Sequence, residues 1–235
     1  MAAKDAKRSP LNAAQNALAQ PGVFNPAYRL GFWSAVLTTI GGVIYFCVVL
    51  GAILTGNFNF PPSGFLQAFG GISSLVLCPL LVVLMASLHS ILPSGKKALS
   101  LISLGFTLLF AMAVSINRFS QLGVVQQSLA AGTTAGIEWF LPYGEHSIMF
   151  GLELLGWGWF LGLAMLFAAP LFSSGKLELW LRWLLVLYAV LGLVCALAFL
   201  LNSPLSVIGF AAWGLVLYII TALMAVYFRR AEKQA

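Results

Sequence analysis

The sequence predicts an all-α integral membrane protein, a bundle of six transmembrane helices with both termini in the cytoplasm. Of its 235 residues, 61% are hydrophobic and only 8% charged, with a mean hydropathy of +0.98. Such a chain cannot dress one soluble core in a polar surface. Runs of predominantly apolar residues long enough to cross roughly 30 Å of hydrocarbon, about 20 residues each, recur six times. Basic residues then fall almost entirely on one side of those crossings. The runs are continuously apolar and do not alternate, so each satisfies its own backbone hydrogen bonds as a helix rather than as a barrel strand.

An amino-terminal tail, residues 1–30, precedes span 1 at 31–54. The tail starts basic but has no apolar stretch followed by a cleavage site, which excludes a signal peptide; span 1 itself serves as the insertion signal. Leu11 to Gln20 is compatible with a short interfacial helix or with disorder, ended either way by Pro21 and Gly22. Span 2, 65–92, carries Pro79 at its middle, where the missing N–H predicts a kink. Spans 3 and 4 are 98–125 and 147–172, span 5 is 181–201, and span 6 is 204–228, followed by a basic tail at 229–235. No segment outside the spans is long enough for a second core, so 31–228 forms one domain.

Lys4, Lys7, Arg8 and Arg29 precede span 1; Lys96 and Lys97 fill the turn after span 2; Lys176 and Arg182 follow span 4; Arg229, Arg230 and Lys233 follow span 6. Eleven of the twelve basic residues thus share a side, and the positive-inside rule makes that side cytoplasmic; the expected location is a bacterial inner membrane. The same distribution explains the pI of 9.5 without nucleic acid. Expected partners are the lipid bilayer and anionic headgroups at the basic residues. Trp33, Trp180 and Trp183 suit the cytoplasmic interface and Trp139 the outer one. Cys47, Cys78 and Cys195 lie within spans without a CxxC pattern and read as small hydrophobes.

Arg118 is the remaining basic residue. It stands about 30 Å along span 3 from Ala98 and roughly 10 Å short of that span's outer end. Glu153 lies eight residues beyond Glu145 in span 4, about 12 Å down the helix, at a similar depth. Two ionisable groups level with each other in hydrocarbon are expected to pair and to face the bundle interior. At 100° per residue, His146, Met149, Trp157 and Phe160 share the face of Glu153, while Gly151, Gly158 and Gly162 form an opposite stripe for close helix packing. On span 3, Asn117 and Gln121 flank Arg118. The candidate ligand-binding set is therefore Asn117, Arg118, Gln121, Glu145, His146, Glu153 and Trp157, in an outward-facing polar pocket between spans 3 and 4.

Two readings compete. In the first, the pocket binds or transports a small polar or amphipathic molecule, with Arg118 as clamp and aromatic side chains as walls; a proton-coupled carrier would titrate Glu153 and His146. In the second, the chain is a non-catalytic accessory subunit, with a membrane-protein partner or further copies of itself, and Arg118–Glu153 is an interhelical fastening. Catalysis is disfavoured, because neither HExxH nor GxSxG occurs. His89 and His146 fall at opposite membrane faces and cannot share a metal, and no lysine within a span offers a Schiff base, so no metal, retinal or other cofactor is expected. No repeat relates spans 1–3 to spans 4–6, and no matched broken helices stand out.

Overall fold

A computed structural model describes residues 25–58, 64–142 and 147–235. Every regular element among them is helical, and six helices are long and apolar enough to cross a membrane: α1 Pro26–Leu54, α2 Gly64–Ile91, α3 Ser94–Ala130, α4 Ile148–Leu171, α5 Gly175–Leu200 and α6 Pro204–Glu232. The chain is a multi-pass membrane protein.

The helices overrun the apolar spans at several ends, each for a local reason. α1 begins at Pro26 rather than Gly31, because the Asn25 side chain accepts from the Ala27 N–H at 3.0 Å and Pro26 sits in the first turn, where its missing N–H costs nothing. α5 begins before the apolar run. The Glu178 carboxylate accepts from the N–H groups of Ser173 and Ser174 at 2.8 and 2.9 Å and caps the helix start. α3 continues past Val125 to Ala130 through a π-helical turn, Gln121–Val125. α2 runs through Pro79 without interruption.

Consecutive helices pack as neighbours, and α6 returns to lie against α1. α4 is the most enclosed, with 61% of its apolar window buried, and α1 the least, with 11%; α4 therefore lies nearest the bundle axis and α1 at its edge. At the basic end the centre is filled by Leu81, Leu84 and Leu88 of α2 against Met165 and Ala168 of α4, Leu185 of α5 and Met224 of α6. Two lysines finish helices there: Lys96 Nζ donates to the Leu171 carbonyl at the end of α4, and Lys97 Nζ to the His89 carbonyl near the end of α2. Arg29 and Glu232 join the exposed basic ends of α1 and α6 at 3.4 Å.

Glycines decide how closely the helices approach. Gly158 of α4 and Gly192 of α5 meet backbone to backbone, and a Cβ at either would lie 2.8 Å from the other's carbonyl oxygen. Gly162 rests against Leu193 and Gly151 faces the Phe199 ring, so the glycine stripe of α4 is turned to α5. On α1, Gly31 lies under the Phe228 ring and Gly42 under the Tyr218 ring of α6. The buried residues of α1 end at Gly42. Beyond it come Tyr45, Phe46, Val49 and Leu50, side chains too large for the same approach.

Candidate functional site

Arg118 and Glu153 pair across α3 and α4, Nη2 to Oε1, with both side chains only 11% exposed. Asn117 Nδ2 donates to the other carboxylate oxygen at 2.7 Å, and Arg118 Nη1 donates to Gln121 Oε1 at 2.8 Å. Of the seven residues singled out in sequence, Asn117, Arg118, Gln121, Glu153 and Trp157 come together here. Glu145 and His146 lie outside the described residues.

The geometry departs from the expected pocket in one respect. Between α3 and α4 the space bounded by Asn117, Gln121, Met149 and Phe150 amounts to about 10 Å³, less than a small molecule needs. This interface is closed because its parts interlock: Val114 sits where a Cβ of Gly156 would stand, 2.6 Å from it, Phe106 stacks on Phe167 at 5.8 Å, and Ser103 donates to the Ala164 carbonyl at 2.7 Å.

The room lies on the other side of the ion pair. A cavity of about 590 Å³ is bounded by α1, α2 and α6 and has Arg118, Glu153 and Trp157 in its wall. Its walls are apolar and aromatic: Tyr45 and Phe69 stack at 6.1 Å, and Trp213 stands between Trp157, at 6.3 Å, and Phe210, at 5.3 Å. Phe110 in turn holds Trp157 edge-on at 4.8 Å. Only Arg118 and Glu153 are charged among the described wall residues. The cavity's volume falls within the range of small-molecule sites, which are mostly apolar with a few placed polar groups.

Two wall residues hold buried polar atoms that lack a hydrogen-bond partner, Arg118 Nε and Thr38 Oγ1, while the Trp157 indole N–H faces the Glu153 carboxylate. Buried donors are normally satisfied, so such a cluster asks for an explanation. The backbone around it is also irregular. π-helical turns follow Arg118 (Gln121–Val125) and Glu153 (Leu154–Phe160), and a third, Ala212–Val216, carries Trp213 and Gly214 into the wall. Each contains glycine, at Gly123, Gly156 and Gly158, and Gly214, and π turns of this kind concentrate at functional sites. The Tyr188 hydroxyl of α5 donates to the Trp157 carbonyl within one of them, at 3.1 Å.

Sequence reasoning did not anticipate Thr38, Tyr45, Phe69 or Tyr218 as wall residues. Thr38, Tyr45 and Val49 recur on one face of span 1 at helical spacing, and that face was the available signal. The glycines within spans 4 and 6 were the signal for the irregular turns.

Fold and site together define a multi-pass helical membrane protein with an intramembrane apolar cavity ending on a charge pair. No protein-family model, curated protein or solved structure matches the chain.

Proposed function

We propose that the protein is a non-enzymatic binding protein or carrier for an amphipathic molecule, whose head meets Arg118–Glu153 and whose apolar part lies in the cavity between α1, α2 and α6. By the positive-inside rule the basic end is cytoplasmic and the charge pair belongs to the outer half of the bilayer; the membrane in this reading is a bacterial inner membrane. The observation that carries the reading is the cavity of about 590 Å³ with the Arg118–Glu153 pair in an otherwise largely apolar wall. A fastening alone would not need the space.

The test uses the full chain in lipid nanodiscs and a single-chain alcohol brominated at its tail, which quenches tryptophan. Trp157 and Trp213 line the cavity, so saturable quenching is expected, and it should shrink in a Trp157→Phe, Trp213→Phe variant. Gly214→Phe should abolish saturation, because Gly214 borders the cavity and a Cβ there meets nothing within 4 Å, so the new ring enters free space. Non-saturable quenching, equal in wild type and Gly214→Phe, would reject the binding reading.

The accessory-subunit reading rests on a different observation: both carboxylate oxygens of Glu153 are engaged and α3 meets α4 without a gap. It expects no saturable site.

A further inference from the structure

The binding reading leaves the ligand's head undefined, and the following rests on that reading. We infer that the cavity selects an uncharged, hydrogen-bond-accepting head, such as a carbonyl of an ester, amide or ring ketone on an apolar tail, and that it takes this molecule sideways from the bilayer.

The charge balance argues for the head. A guanidinium has five N–H donors, and Arg118 engages Glu153 through Nη2 and Gln121 through Nη1, while Nε is buried and unpartnered. Nε is enclosed, so a head in the cavity meets the guanidinium through the remaining hydrogens of Nη1 and Nη2, and the charge is already matched. Glu153 already neutralises it, Asn117 fixes the second carboxylate oxygen, and no second cation stands among the described wall residues. A carboxylate or phosphate brought to the guanidinium would be stripped of water beside the carboxylate of Glu153, with no net positive charge to compensate. A cationic head would meet the guanidinium in the same way. An uncharged carbonyl oxygen accepts from one of the remaining Nη hydrogens and leaves the balance intact.

The wall argues for the route. The lining residues most exposed on α1, Leu37 and Ile44, fall on one stripe with exposed Gly41, and those on α2, Ile72 and Val76, are one turn apart; each of the four side chains is about half exposed. These two stripes put the α1 and α2 parts of the wall against the bilayer, and a Cβ at Gly41 would touch nothing within 4 Å. An ion entering there would have to shed its hydration in hydrocarbon, whereas a lipid-soluble ester would not. Phe69 to Leu80 on α2 line the cavity over about 17 Å of helix, room for a straight tail parallel to the membrane normal.

The experiment is competition against the brominated alcohol in nanodiscs by probes that share a tail and differ in head: methyl laurate, dodecanamide, laurate at a pH that keeps it ionised, and dodecyltrimethylammonium. Methyl laurate and dodecanamide are expected to displace the alcohol at concentrations at least about tenfold below those of the two ions. In Glu153→Gln the ranking should invert for laurate, because the guanidinium charge is then unopposed. If that variant fails to fold, the wild-type ranking decides alone. Laurate as the best competitor in wild type, or equal potency of all four heads, overturns the inference while the binding reading stands. If the alcohol itself shows no saturable site, the binding reading falls and this inference with it.

Discussion

Removing either member of the Arg118–Glu153 pair should cost far more than removing both. Each side chain is only 11% exposed, and the contact is the guanidinium's main compensation. Arg118→Met leaves the Glu153 carboxylate with the Asn117 amide and the Trp157 indole but no cation. Glu153→Gln keeps the size and an acceptor for Asn117, but strands a cation whose remaining partner is Gln121. Breaking a buried pair on one side costs about 3–5 kcal/mol, because an uncompensated charge stays behind, whereas an apolar replacement of both partners is often near neutral. Arg118→Met and Glu153→Gln are each expected near the lower end of that range, since the cavity beside the pair lets some water reach the survivor. The Arg118→Met, Glu153→Met double variant should cost less than either single change. The assay is reversible unfolding in mixed micelles, followed by tryptophan fluorescence, with Glu153→Met completing the double-mutant cycle. Single effects that add to within about 0.5 kcal/mol in the double variant would refute the reasoning, since independent sites behave that way.

Gly158→Ala should destabilise by about 1–3 kcal/mol, because its methyl would lie 2.8 Å from the Gly192 carbonyl oxygen and only backbone movement relieves that; the matched control is Gly105→Ala, which meets nothing within 4 Å and should be neutral or stabilising by up to about 1 kcal/mol, both read by thermal unfolding. Phe110→Ala removes a fully buried ring packed edge-on against Trp157 and is expected to cost about 3–5 kcal/mol, with a shift in tryptophan emission as water reaches the indole. For the threading, a single cysteine placed at Gly95 in a chain lacking Cys47, Cys78 and Cys195 should resist a membrane-impermeant thiol reagent in intact cells, and one at Gly132 should react. The opposite pattern would reverse the orientation drawn from the basic residues.

Much of the architecture could be read from residue order because lipid makes it a local matter. A helix in hydrocarbon must satisfy its own backbone and be apolar along its whole length, so each crossing is written in one contiguous run. The helix ends were less legible: at α1 and α5 the helix extends into polar residues where capping by Asn25 and Glu178, rather than hydropathy, sets the boundary. The meeting of Arg118 with Glu153 was also legible, since two charges at one depth have few other places to go.

Where the room lies was a different kind of question. A cavity is a failure of two surfaces to meet, and it depends on every pair of helix faces at once. The chain's order made spans 3 and 4 the natural place to look, because they carry the charges. Packing closed that interface through Val114 on Gly156 and opened the opposite side, where α1 follows α6 closely only as far as Gly42. The wall residues Tyr45, Phe69, Trp213 and Tyr218 come from three helices that no local pattern links. The sequence by itself determined six membrane crossings and one charge pair, because hydrocarbon penalises each unpaired polar group wherever it stands. Only the tertiary structure decided that the pair faces a cavity between α1, α2 and α6, because steric fit between distant helices is fixed when they pack and not before.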